Sequence, residues 1–139
     1  MWPDLPIEFN VLGTPVSFQS DNPKSKAEWK AKVLEAALAA IQPGSWCFME
    51  ERLAVTLYYF PQDAMPGDVD NIVKLTVDAL IPNVYTDDCL IDRVLVQRFD
   101  PASPFSFRDP SRKLVEAMAT DAPVLHVRIY EAPLEDLVQ

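Results

Sequence analysis

Cysteine, histidine, glycine and basic side chains are all scarce in this chain, and each shortage narrows what it can be. Cys47 and Cys89 are the two cysteines and His126 the one histidine. They form no C-x-x-C pair, so the sequence argues against structural zinc, and both thiols are expected to be reduced. With three glycines there is no nucleotide-binding fingerprint of the G-x-G-x-x-G kind. No apolar run approaches the roughly 20 residues that a membrane-spanning helix needs. Twelve basic against 21 acidic residues give a net charge of −9 and a pI near 4.4, the reverse of the usual nucleic-acid binder.

What the chain does have is an even supply of apolar residues, 49% of 139, enough for one domain of the common size of about 100–150 residues. A single domain over 1–139 is therefore expected. The start, Met1-Trp2-Pro3-Asp4, carries neither the basic stretch nor the apolar run of a secretory signal, so a soluble, cytoplasmic protein without membrane partners is expected.

Alternation of Ile7, Phe9 and Val11 with polar neighbours predicts a first strand, interrupted by Gly13 and Pro15. Near-helical spacing of Ala27, Trp29, Val33, Leu34, Ala37, Leu38 and Ile41 predicts a helix over 25–41, stopped by Pro43-Gly44. The β-branched and aromatic run Leu53 to Tyr59 predicts a well-buried strand. After a loop over 61–67, Asp68 stands at an N-cap position ahead of a helix over 69–80, which Pro82 and Asn83 end. Further strands are expected over 90–99 and 124–130. Between them the proline-rich 101–123 reads as an insertion with a short helix over 111–119, Pro110 as its first residue and Leu114, Val115 and Met118 inward. The order predicts a small α/β, α+β-like fold, a mixed or antiparallel sheet with helices on one face. His126, alternating with Leu125 and Val127, reads as structural, and Phe105 and Phe107 as local core.

The informative stretch is Gly67-Asp68-Val69-Asp70-Asn71-Ile72-Val73-Lys74, then Asp78, then Asp87-Asp88. On a continuous helix Asp70, Lys74 and Asp78 share one face, opposite Val69, Ile72, Val73, Val77 and Leu80. Clustered carboxylates repel and take up protons unless a cation compensates them. Mg²⁺ suits an all-oxygen set and often uses only one or two carboxylates plus substrate phosphate. Such an ion activates water and stabilises a leaving oxygen in phosphodiester hydrolysis, and Lys74 is placed to stabilise charge on the phosphate.

Plainer readings exist for each residue. Asp68 alone is an N-cap, Asp70 with Lys74 a surface ion pair worth about 0.3–0.5 kcal/mol, and Asp87-Asp88 an acidic turn. Their combination favours a metal centre. An EF-hand loop from Asp68 is excluded, since its sixth and twelfth places hold Val73 and Ala79. A D-x-D nucleotide-sugar transferase ranks low without a donor-binding domain.

Taken together, G-D-V-D-N-I-V-K, D-A-L and Y-T-D-D resemble the RusA family of crossover-junction endodeoxyribonucleases, or Holliday junction resolvases. The opening F-x-V-x-G-x-P at Phe9 to Pro15 and the helix around Trp29 extend the likeness from about Ile7 to Arg98. The resemblance implies a dimeric α/β enzyme that nicks four-way DNA junctions in pairs with Mg²⁺ or Mn²⁺, acting in recombination and repair. It implies Asp68, Asp70, Lys74 and Asp88 as catalytic residues and Asp68, Asp70 and Asp88 as metal ligands, with Asp87 beside the ligand set and Asp78 in support. The chain departs from the family in the longer segment 101–123 and in lacking basic residues before the D-x-D, over 62–67.

Asp68, Asp70, Asp78, Asp87, Asp88 and Asp92 account for six of the 21 acids, and bound divalent ions would offset part of that charge. DNA contacts are then expected from Lys24, Lys26, Lys30 and Lys32 around the first helix and from Arg108, Arg112 and Lys113 in the insertion; each also reads as a solvated helix face. Two alternatives stand beside the resolvase: a branched-DNA nuclease with relaxed preference, and a non-catalytic DNA-binding regulator. The second would be marked by loss of a ligand or of the lysine, and all are present.

Overall fold

The computed structural model describes residues 1–64 and 67–133; Met65 and Pro66 of the expected loop, and residues 134–139, lie outside them. Four strands, β1 (Ile7–Leu12), β2 (Leu53–Phe60), β3 (Ile91–Arg98) and β4 (Val124–Glu131), form one mixed sheet in the order β1-β4-β2-β3. β4 pairs antiparallel with β1 and β2, while β2 and β3 run parallel. The expected α+β fold with a mixed sheet is what forms.

Parallel neighbours cannot be joined by a tight turn; they need a crossover of a dozen or more residues that passes over the sheet. Residues 61–90 make that crossover and carry α2 (Val73–Asp78). On the covered face Phe9, Leu57 and Val127 stand side by side in register. Trp29 and Val33 of α1 (Pro23–Ala39) and Leu75 and Leu80 of the crossover complete the core there. Trp29 also ties the two helices together, its indole N–H donating to the Thr76 hydroxyl at 3.1 Å inside the core. α1 begins at Pro23, two residues earlier than expected, because Asn22 caps it by accepting from the Ser25 N–H and proline is favoured at the first helical position.

β2 is buried along most of its length because both faces are covered, which is why its sequence is apolar at odd and even positions alike. On the second face Tyr58, Phe60 and Phe99 meet Phe105 and Phe107 from the 101–123 segment, with ring centroids 4.8–5.8 Å apart for the contacts Phe99–Phe105, Tyr58–Phe107 and Phe60–Phe105. α3 (Arg112–Met118) lies on this face too, held where the Asn10 side-chain amide donates to the Lys113 carbonyl. Helices thus occupy both faces: α1 and α2 the first, α3 the second. Ser111 caps α3, so Pro110 precedes the cap, and the inward residues are Leu114 and Ala117 while Val115 is exposed.

His126 on β4 is buried on the second face, with Nδ1 2.8 Å from the Asn10 carboxamide oxygen and Nε2 3.9 Å from Glu8. Burial holds its pKa below the ordinary 6.5; Glu8 opposes that, and Arg128 and Lys113 add to it. As pH falls through about 6.5, the unfolded chain takes up this proton while the folded protein does not. The unfolded state then binds more protons, and stability falls with pH across that window. Urea unfolding from pH 7.5 downward should show this loss, and His126→Gln should flatten the slope between pH 6.5 and the lower folded-state pKa; an unchanged slope would contradict it.

Candidate active site

The crossover does not continue as one helix from Val69. Val69–Ile72 form a 3₁₀ turn and α2 starts only at Val73. The tighter turn has about three residues per revolution, so Asp70 is rotated off the face it would share with Lys74 on a continuous α-helix. Among the described residues no ion pair joins Asp70 to Lys74. Instead Lys74 Nζ lies 3.1 Å from Asp78 Oδ1, one helical turn on, and 3.2 Å from Asp88 Oδ2, at the far end of the crossover.

Asp68 occupies the N-cap place of the 3₁₀ turn, yet its side chain makes no capping hydrogen bond, so its carboxylate is not used for capping. Asp68 and Asp70 are both exposed. Asp87 does cap: its carboxylate accepts from the Cys89 N–H at 3.0 Å and starts the short 3₁₀ turn Asp88–Leu90. That hydrogen bond is the main cause holding its pKa below the usual carboxylate range, with a hydrogen bond to Asp88 adding to it. Asp87 therefore positions Asp88 from its neighbour's place.

Beneath this group lies Tyr85, fully buried, whose hydroxyl donates to the Val77 carbonyl. Burial raises its pKa, and the charges of Asp78 and Asp88 raise it further, so it stays a neutral donor. Two arginines that sequence patterns did not single out fix the ends of the crossover. Arg52 grips Asp92 through its guanidinium and donates to the Cys89 carbonyl at 2.7 Å, while Arg98 donates to the Gly67 carbonyl just before Asp68. Both stand at strand ends, 31 to 40 residues from these partners, and no local spacing announces such contacts.

The donors are carboxylate oxygens, with no thiolate or imidazole among Asp68, Asp70, Asp87 and Asp88, and this chemistry fits a hard divalent cation such as Mg²⁺. Among the described residues no three acidic, cysteine or histidine side chains converge closely enough to hold a metal ion. A cation that keeps most of its waters needs only one or two protein carboxylates beside a phosphate, so the donor set suffices in chemistry without such convergence.

The expected basic residues fall into two groups. Lys24 pairs loosely with Glu28, Lys26 lies over the Phe18 ring, Lys30 is half-buried on the same helix, and Lys32 reaches the Leu12 carbonyl. These belong to α1, on the face crossed by the acidic segment. Arg112 and Lys113 belong to α3 on the other face, with Lys113 paired to Glu116. They do not share the acidic site's side of the sheet.

The crossover of this α+β domain displays a D-x-D and a lysine clamped between two further aspartates. The sequence pattern of the family Endodeoxyribonuclease RusA matches residues 16–108, two thirds of the chain, and the chain belongs to that family of Holliday-junction endonucleases. No curated protein matches it. The matched span contains Asp68, Asp70, Lys74, Asp78, Asp87 and Asp88, and it runs past Arg98 into the aromatic part of the 101–123 segment.

The Lys74 ammonium is held charged chiefly by its hydrogen bond to Asp78 and next by that to Asp88. Its titration, followed by NMR at the side-chain Cε, should lie above the ordinary 10.5. Asp78→Asn should lower it more than Asp88→Asn; no response to either change would mean that the clamp does not form in solution.

Proposed function

We propose that this chain is a divalent-metal-dependent endodeoxyribonuclease that resolves four-way DNA junctions by paired phosphodiester hydrolysis, in DNA recombination and repair. The observation that carries this reading is Lys74, held between Asp78 and Asp88 on the crossover that also displays Asp68 and Asp70, all within the span typical of the RusA family. Asp68, Asp70 and Asp88 are the proposed ligands of Mg²⁺, with Mn²⁺ as substitute and Asp87 in the adjoining place. Such an ion supplies a more acidic bound water and neutralises charge on the leaving oxygen.

The chain's own groups do the rest. Lys74 keeps its proton across the physiological range and presents a fixed positive charge where the phosphate gains negative charge in the transition state. Asp78 aims that ammonium, and Asp87 fixes the backbone turn that sets Asp88. In each hydrolysis the water oxygen bonds to phosphorus, one P–O ester bond breaks, and the departing oxygen takes up a proton. A two-fold dimer of single RusA-like domains would present the same site to two strands of like polarity, and a homodimer in the cytoplasm is part of the proposal.

The net charge of −9 favours a second reading in one respect. Little long-range attraction for DNA is available, and the same site would then serve forks and flaps as readily as junctions. A labelled four-way junction, a fork, a flap and a matched linear duplex, incubated with Mg²⁺, Mn²⁺ or chelator, separate the readings. Paired nicks in the junction alone are expected, abolished by chelator and slowed by about 10²-fold or more in Asp70→Asn and in Lys74→Gln, the scale on which loss of one transition-state contact is felt. Nicking of forks and flaps at equal rates would favour the relaxed nuclease, and binding without cleavage in either metal would contradict both.

A further inference from the structure

The loop between β1 and α1 contains an aromatic residue that the core does not use. Pro15 is buried and Val16 packs against the core, but the next turn puts Phe18 half into solvent, at 50% exposure. The turn is well made: Ser20 N–H donates to the Ser17 carbonyl, Gln19 N–H to the Ser17 hydroxyl, and Asn22 N–H to the Ser20 hydroxyl before Asn22 caps α1. Phe18 is thus presented by a hydrogen-bonded loop ahead of a capped helix.

Two contacts place it. The Phe18 N–H donates to the Asn71 carbonyl at 3.4 Å, so the loop touches the 3₁₀ turn at the residue following Asp70. The Lys26 ammonium lies 5.3 Å from the ring centroid, over one face. The Trp29–Thr76 bond, three residues beyond Lys26, locks α1 to α2 and so keeps this arrangement in register with Lys74. Among the described residues a second cation over a ring, Arg128 on Tyr130, comes from β4, outside the crossover.

We infer that Phe18 and Lys26 form a subsite for a nucleotide whose base is left unstacked at a DNA branch point, beside the 3₁₀ turn that carries Asp70; this rests on the reading of the chain as a branched-DNA nuclease. With Lys26 on one face, the solvent-exposed part of the ring offers a flat apolar surface to a base, and the ammonium offers a partner to that nucleotide's phosphate. Bases within a continuous duplex are already stacked on one another and gain nothing from such a ring. A base at a branch, where stacking is interrupted, gains a neighbour. The pair supplies a preference for branched over linear DNA in a protein whose overall charge attracts neither.

The test is binding in chelator, where no strand is cut, of a synthetic four-way junction with 2-aminopurine at the branch point and of a linear duplex. For the intact protein, the junction should bind more tightly and the 2-aminopurine emission should change as the base meets the ring. Phe18→Ala should weaken junction binding about tenfold, the order of one lost base–aromatic stack, and leave duplex binding unchanged. Phe18→Leu should behave like the alanine variant, whereas Phe18→Trp should restore both affinity and signal. Lys26→Gln should weaken junction binding and reduce its salt dependence. If Phe18→Ala keeps the intact protein's junction preference and emission change, the subsite is wrong and the nuclease reading stands. If the intact protein shows no preference for the junction, both fall together.

Discussion

The parallel pairing of β2 with β3 is the constraint on which the rest of the molecule depends. It obliges the chain to leave one end of the sheet, cross its face and return to the other end before β3 can begin. Every acidic residue of the candidate site lies on that crossover or at its ends: Asp68 and Asp70 on the outward leg, Asp78 at the end of α2, Asp87 and Asp88 at the re-entry. Lys74 joins the middle of the path to its end through Asp78 and Asp88. The buried Tyr85 hydroxyl and the two arginines at the strand ends hold the same path from below and from the sides. The topology thus strings residues 68 to 88 along one path over the sheet, and Lys74 ties the middle of that path to its end.

A strongly acidic chain in a family that acts on DNA is a contradiction only if charge is treated as a total. The lysines of α1 stand on the same face as the crossover, because Trp29 packs α1 against α2. Arg112 and Lys113 are carried to the opposite face by the segment that covers Tyr58, Phe60 and Phe99. The 101–123 segment therefore completes the second hydrophobic layer and leaves the acidic face to α1 and the crossover. Binding that relies on so few cations depends on local contacts, which weigh shape more than the long-range field.

Much of this was legible in the sequence, for physical reasons. β1 announced itself by one buried periodic face, β2 and β4 by their density of β-branched and aromatic residues, and β3 by its branched residues although none of them is buried. The D-x-D, Lys74 and the D-D pair were visible because their spacing is local. Three things were hidden. Period alone does not separate a 3₁₀ turn from the first turn of an α-helix, so Lys74 was matched to Asp70 rather than to Asp88, 14 residues on. Even positions of β2 are as apolar as odd ones, which signals a second covered face, but the proline-rich 101–123 gave little sign that it supplies the cover. Phe18 carries no periodic signal at all, since it belongs to a loop and its neighbours are set by the packing of α1 on α2.

The central proposal is that Asp68, Asp70 and Asp88 offer their carboxylates to a hydrated divalent cation, with Lys74 in support. Mn²⁺ titrated into ¹⁵N-labelled protein tests it directly, because the paramagnetic ion broadens nearby amide resonances whether or not DNA is present. The account predicts that the amides of residues 68–71 and 87–89 broaden first and together, and that Asp70→Asn weakens the effect at all of them. Broadening spread evenly over the acidic surface, or confined to one aspartate and indifferent to Asp70→Asn, would contradict it.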